Sequence, residues 1–324
     1  MFRQNLPTYL VVILLIVGIN FFLPRMMPGD PLMAIYGVEA LVAMTPELKD
    51  SLLRSFALDK PLWEQFIAYL RQLVHGDLGY SYYYGAPTLE VILGRLPWTL
   101  LLVGSAIILS TTLGVLLGIE SGWRRGTALD RSMLSGFMAL SGFPGFFLGM
   151  VLLLVFAVTL RLLPLGGATT VYSGLSGPAL YADVVKHLVL PISALTLGHV
   201  AGDYLLTRST MVTVLKEPYI LSARAKGLRE RVICYRHAGR NSLLPVVTRT
   251  GVRLGRIVTG TLFIEVIFAY PGLGTLTYQA LLARDYAVLQ GIFLVVAVLV
   301  LFANFSADLL YIRVDPRIRD AHHH

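Results

Sequence analysis

Residues 221–245 read LSARAKGLRERVICYRHAGRNSLLP, a basic run set between two long apolar segments. Whether this run is a cytoplasmic part of a membrane protein or a nucleic-acid contact decides how the whole chain folds. Of the 324 residues, 56% are hydrophobic and 14% charged, against roughly 25% charged in an average soluble domain. That composition marks a membrane protein. The single cysteine, Cys234, has no partner for a disulfide or a C-x-x-C metal site, so neither redox nor zinc chemistry is indicated. His322, His323 and His324 read as a tag remnant and are set aside as metal ligands.

Six segments reach or approach the ~20 apolar residues that cross about 30 Å of hydrocarbon. They are 7–24, 96–120, 132–160, 188–207, about 249–270 and 287–311. The first ends in Leu23-Pro24-Arg25 without a small-residue cleavage site and is expected to stay as an anchor. With the N-terminus in the cytoplasm, 15 Lys and Arg fall in the cytoplasmic segments and 3 in the short opposite loops 161–187 and 271–286. This asymmetry orients both termini toward the cytoplasm. It also accounts for the net charge of +8 without nucleic acid. The expected organisation is an anchor helix (1–24), an extracytoplasmic subdomain (25–95) and a five-helix core (96–321) with a cytoplasmic loop at 208–240.

Within the subdomain, Thr45-Pro46 predicts a helix start, because the threonine oxygen can cap and proline lacks an N–H that would go unbonded there. Trp63, Phe66, Ile67, Leu70 and Leu73 then recur at helical spacing, as expected of a stripe packed on the spans. Gly79 to Gly85 carries four tyrosines and reads as an interfacial aromatic belt. The third span is interrupted by Gly142-Phe143-Pro144-Gly145, where proline removes a helix hydrogen bond, so a kink or break is expected.

In the basic loop, Leu221, Ala225, Leu228, Val232 and Tyr235 step by 4, 3, 4 and 3, one face of a helix, with the arginines mainly off it. Gly227 predicts a bend between two short helices, and Pro218 fits a first helical turn. The pattern allows either lipid contact or protein docking; the small residues Ser222, Ala223 and Ala225 favour docking modestly. Inside the spans, a charge costs roughly 2.5 to 3.5 kcal/mol on insertion scales. Arg253 and Arg256 can snorkel, whereas Glu265 lies on the opposite face from Arg256 and requires a partner from another helix. His199 and Asp203 share a face of span four beside Gly198 and Gly202, either as a structural pair or as a polar patch in a translocation path. Together His199, Asp203 and Glu265 are the pathway candidates.

Ala223-Arg224-Ala225-Lys226-Gly227-Leu228, with Arg236-His237-Ala238, Arg240-Asn241 and Leu244-Pro245, resembles the EAA loop of permeases of binding-protein-dependent ABC importers. Pro28-Gly29-Asp30-Pro31, Gly76-Asp77-Leu78-Gly79-Tyr80-Ser81, Glu265 with Pro271-Gly272-Leu273-Gly274, Arg284-Asp285-Tyr286 and Asp315-Pro316-Arg317 agree in order. The resemblance is to the first permease subunit of the dipeptide, oligopeptide and nickel branch. The loop departs from its name at Ser222, where a glutamate is usual, leaving Glu217 as the nearest upstream acid.

The resemblance implies an all-α type I ABC importer permease fold with six transmembrane helices in a prokaryotic inner membrane. It also implies a coupling helix docked on a separate ATPase. Coupling would rest on Glu217, Ala223, Ala225, Lys226, Gly227, Leu228, Arg236 and His237. Its implied partners are a second permease subunit, two ATPases that carry ATP and Mg, and a solute-binding protein that largely chooses among peptides or chelated nickel. No cofactor or metal is expected on this chain. None of the five lysines sits in a G-K-[ST] triplet, so ATP hydrolysis is expected elsewhere. An ion-coupled secondary transporter is the alternative, with Glu265 and Asp203 as its plausible titrating carboxylates.

Overall fold

The computed structural model describes residues 14–22, 45–55, 60–81, 83–243, 245–247, 249–250 and 257–314. The Pro28–Pro31 stretch, Arg253, Arg256 and Asp315-Pro316-Arg317 lie outside these. In chain order the elements are α1 (14–22), α2 (Pro46–Ser55), α3 (Leu62–Val74), β1 (Tyr80–Ser81), β2 (Ala86–Pro87) and α4 (Thr88–Trp123). There follow α5 (Ala128–Ser141), α6 (Gly145–Leu152) with a π-helical extension Leu153–Thr159, α7 (Pro178–Val214) and α8 (Pro218–Ala225). Next come α9 (Glu230–Val232), a π-helical stretch Ile233–Gly239, α10 (Arg240–Ser242), α11 (Ile257–Ile267), α12 (Leu273–Leu282) and α13 (Tyr286–Val314). The chain divides into two compact units, Met1–Pro97 with Gly272–Leu299 and Trp98–Pro271 with Val300–His324.

Three of the described helices are long and apolar enough to cross a bilayer: Thr88–Trp123, Pro178–Val214 and Tyr286–Ala303. The expected break in the third span is sharper than a kink. Ala128–Ser141 and Gly145–Thr159 meet at 96° and together would make a fourth span or a re-entrant loop. The turn follows from Pro144, whose extended backbone (ψ 141°) starts α6 afresh. The first and fifth expected spans fall partly outside the described residues.

In the first unit the expected helix start is met, with Leu48 N donating to Thr45 Oγ1 at 3.4 Å. Along α3, Phe66 packs edge-on against Phe21 of α1 at 5.0 Å, and Tyr69 OH accepts from Asn20 Nδ2 at 3.2 Å. Trp63 and Ile67 are exposed, so only part of the apolar stripe faces α1. The tyrosine run contains a two-residue antiparallel ladder, Tyr80 opposite Pro87 and Ser81 opposite Ala86, a small departure from an all-helical chain. Ser81 Oγ donates to Asp285 Oδ2 at 2.5 Å, and Asp285 Oδ1 caps α13 by accepting from Val288 N at 3.1 Å.

The second unit is organised by a seam between α4 and α7. Gly114, Gly118 and Gly122 recur every four residues and lie on one face of α4. A Cβ added at these glycines would sit 2.6 Å from Asp203 Cβ, 2.6 Å from Thr207 Cβ and 2.8 Å from Met211 Cβ of α7. Only glycine allows this approach, the small-residue device by which helices associate in lipid. Toward one end of the seam lies a cluster that includes Leu102, Ala106, Leu188, Ala194, Ile264, Phe268 and Tyr270. The Gly145–Gly198 contact brings α6 against the same helix α7, a Cβ at Gly198 lying 3.2 Å from Gly145 Cα.

The seam makes a directional prediction. Gly118→Ala forces a methyl group onto Thr207 Cβ and Tyr204 O and is expected to cost about 1 to 3 kcal/mol. Gly104→Ala, in the same helix with nothing within 4 Å, is expected to be neutral or to gain up to about 1 kcal/mol from helix propensity. Thermal unfolding of the purified chain in detergent reads both; equal shifts would remove the seam as the source of packing.

Candidate functional site

The basic loop grows directly from α7. Leu215 N, Lys216 N and Glu217 N donate to Met211 O, Thr213 O and Val214 O, so the turn into α8 is fully hydrogen bonded. Glu217 is the extended residue before α8 and Pro218 its first helical residue, as the sequence predicts. The exposed Glu217 carboxylate makes no side-chain cap bond but sits at the positive end of the helix dipole.

The bend at Gly227 is a helix C-terminus of Schellman type. Gly227 has φ +71°, Gly227 N donates to Arg224 O at 2.9 Å, and Leu228 N reaches back to Ala223 O at 3.3 Å. A left-handed residue closes the helix here at little steric cost only if it is glycine. The chain restarts after extended Arg229 and continues through the π-helical stretch to α10.

The expected apolar stripe is not the face buried against the rest of the unit. Counting 4-3-4-3 across Gly227 assumes one continuous helix, whereas the phase is reset there and altered again by π geometry. The buried face comprises Ile220, Ala223, Ile233, Cys234 and Ala238, packed with Ile119 of α4 and Met211 of α7. Leu221 is 71% exposed, and Ala225, Leu228 and Tyr235 also lie outward. Of the other candidate coupling residues, Lys226, Gly227 and Arg236 are exposed and His237 is half-buried.

Polar contacts brace the two halves. Asn241 Nδ2 donates to Tyr219 OH at 2.6 Å, and Tyr235 OH donates to Glu120 Oε2 of α4 at 3.0 Å. That bond to Glu120 raises the Tyr235 phenol above its usual range. Arg224 lies 5.7 Å from the Trp123 ring centroid and 3.6 Å from Glu230. The exposed ion pair is worth little, so the fixed geometry comes from the buried cluster.

Among the pathway candidates, Asp203 and Glu265 are fully buried. Glu265 Oε1 accepts from Thr99 Oγ1 of α4 at 2.8 Å, the interhelical partner its position requires. Asp203 Oδ2 accepts from Thr111 Oγ1 at 3.4 Å, and its Oδ1 lies 3.8 Å from Arg249 Nε. Arg249 Nη1 also donates to Gly202 O at 3.0 Å, and a Cβ on Gly202 would collide with the guanidinium. Gly202 thus seats Arg249, while His199 stands half-buried one turn away from Asp203. Thr99, Thr111 and Arg249 were not singled out from the sequence: a threonine in an apolar span and an arginine at its edge carry no local signal of their distant partners.

Comparison with known proteins gives two family matches, one described as the inner membrane component of binding-protein-dependent transport systems over residues 110–320 and one as the N-terminal part of such membrane components over 1–103. The chain is 36% identical over 333 residues to the dipeptide transport system permease protein DppB of Escherichia coli strain K12, covering 97% of this chain and 96% of that one. It is 39% identical over 302 residues to a putative peptide permease of Brucella suis biovar 1, covering 92% of each. With the oligopeptide transport system permease AppB of Bacillus subtilis strain 168 it shares 34% over 313 residues, covering 95% of each. In fold it is similar to a chain of the MetNI methionine ABC transporter crystallised in inward-facing form, with TM-score 0.56 and 16% identity, covering 70% of this chain and 97% of that one.

Burial and the charges of Glu120 and Glu230 push the Cys234 thiol up to about 11. A neutral, enclosed thiol is a poor nucleophile, so maleimide at pH 7 is expected to label the native chain more than ~100-fold more slowly than the denatured chain. Comparable rates would show that the cluster beneath the loop is open.

Proposed function

We propose, from the premise that this chain belongs to the family of inner membrane components of binding-protein-dependent transport systems, that it carries di- or oligopeptides and is driven through residues 217–240. As a member it is the transmembrane permease subunit of an ATP-driven importer, not an ion-coupled carrier. The single observation that carries the drive mechanism is the two-faced loop. Its inner face is locked to α4 and α7, and its outer face leaves Leu221, Leu228 and Tyr235 exposed among cations.

On this reading α8 is a coupling helix seated on an ATPase, with Ala225, Lys226 and Gly227 at its tip and Arg236 and His237 on the following turn. The Gly227 closure lets the tip be narrow. A second permease subunit, two ATPases carrying ATP and Mg, and a solute-binding protein complete the machine. Both termini face the cytoplasm, in keeping with the 15-to-3 charge asymmetry. Peptide substrates are supported by the names of the relatives reported above, none of which names nickel. His199, Asp203 with Arg249, and Glu265 supply the polar positions along the path.

Two measurements test this. Leu221→Glu places a charge on the outward face and is expected to abolish copurification with the ATPase while leaving the thermal transition within about 1 °C, because surface changes rarely exceed ±0.5 kcal/mol. Retained association would sink the docking face. In vesicles holding the full complex, a peptide-loaded binding protein is expected to stimulate ATP hydrolysis and uptake together; uptake without ATP would overturn the mechanism.

A further inference from the structure

Beyond the loop itself, a buried charge network joins three helices of the second unit. Asp130, in the first turn of α5, is 2% exposed. Its Oδ1 accepts from Arg208 Nε of α7 at 2.6 Å and its Oδ2 from Arg208 Nη2 at 2.8 Å, a two-pronged contact. Ser121 Oγ of α4 donates to Oδ1 at 2.6 Å and Gly126 N to Oδ2 at 2.9 Å. Ser121 also shares a hydrogen bond at 2.6 Å with Tyr204 OH of α7, whose ring stacks on Phe137 of α5 at 4.3 Å. The carboxylate therefore holds contacts from α4, the α4–α5 turn and α7 at once.

We propose that Asp130 and Arg208 are positioning residues for coupling: they pin α7 to α4 and α5 in a single axial register. The inference rests on the proposed function. Glycine-to-Cβ contact along the α4–α7 seam is close but has no directional bond, and packed helices can slide along such a groove. A forked arginine–carboxylate pair fixes both distance and angle. Arg208 lies six residues before the end of α7, which is hydrogen bonded straight into α8. Asp130 opens α5, whose far end meets the 96° break at 142–144. A stroke delivered at α8 is thereby carried through the pin into the broken span, not dissipated as sliding of α7.

The pin is separable from mere stability by removing the charges singly and together. Asp130→Asn leaves Arg208 without its counter-charge, whereas Asp130→Asn with Arg208→Gln removes both charges and leaves no buried ion alone. Each variant is assembled with its partner subunits in vesicles, and hydrolysis and uptake of radiolabelled dialanine with its binding protein are measured in the same preparation. The double variant is expected to assemble and hydrolyse ATP within about twofold of wild type while moving at least about tenfold less dialanine per ATP, a factor that reports lost transmission and not lost protein. Arg208→Lys, which keeps charge without the fork, is expected to fall between. If the double variant regains the wild-type ratio, the network serves stability alone and the proposal is overturned. It is equally overturned if uptake and hydrolysis fall in parallel with assembly. Should the wild-type complex itself show no ATP-driven uptake of dialanine, the peptide reading fails first, visibly and separately from the variants.

Discussion

Close approach of α4 and α7 is the constraint on which the second unit depends. In lipid the hydrophobic effect gives no preference for helix over acyl chain, so association must come from contact and from polar groups that lipid cannot satisfy. Gly114, Gly118 and Gly122 provide the contact by leaving no side chain between the backbones. Once the helices touch, everything placed along α7 is placed relative to α4. Asp203 stands beside Gly114, Thr207 beside Gly118, and Met211 beside Gly122, where it roofs the buried face of the basic loop.

The polar groups follow the same axis. Thr99 and Thr111 project from α4 toward Glu265 and Asp203, so each of these two buried carboxylates finds a hydroxyl donor from α4. Further along, Ser121 of the same helix reaches Asp130. Each contact lies on a different turn of α4, and the Thr111–Asp203 bond, which crosses the seam itself, depends on the close approach of α7. A helix that looks uniformly greasy in sequence therefore carries the polar wiring of this unit on a single face.

Local features were legible in the sequence and relational ones were not. Pro144 and Gly227 announce themselves because proline and left-handed glycine act on their own backbone, and the structure breaks the chain at both. The Thr45-Pro46 start is legible for the same reason. The loop's inward face was not legible because periodicity is counted along one continuous helix, and Gly227 resets the count. Ile220 and Ala223 face inward on α8, and Ile233, Cys234 and Ala238 do so after the restart, a set no single spacing connects. Asp130 had a local trace, Thr127 three residues ahead as a capping oxygen, but its partner Arg208 is 78 residues away. The glycine repeat at 114, 118 and 122 was present as a pattern, yet only the structure names the helix that fills it.

The buried inner face of the loop limits what kind of contact the outer one can make. A lipid anchor needs a broad apolar side free to enter the headgroup boundary. Here the broad apolar side is already spent on Ile119 and Met211, and what remains outward is Leu221, Leu228 and Tyr235 spaced among Arg224, Lys226, Arg229 and Arg231. Scattered apolar positions ringed by cations bind membranes weakly but suit a shaped protein groove, where a few large side chains carry most of the energy and the surrounding charges set register. An element fixed on one side by burial, if a partner holds its other side as proposed, cannot yield internally when it is pushed. On the proposed reading it would pass displacement on to α7, where the forked Asp130–Arg208 pair ties that helix to α5.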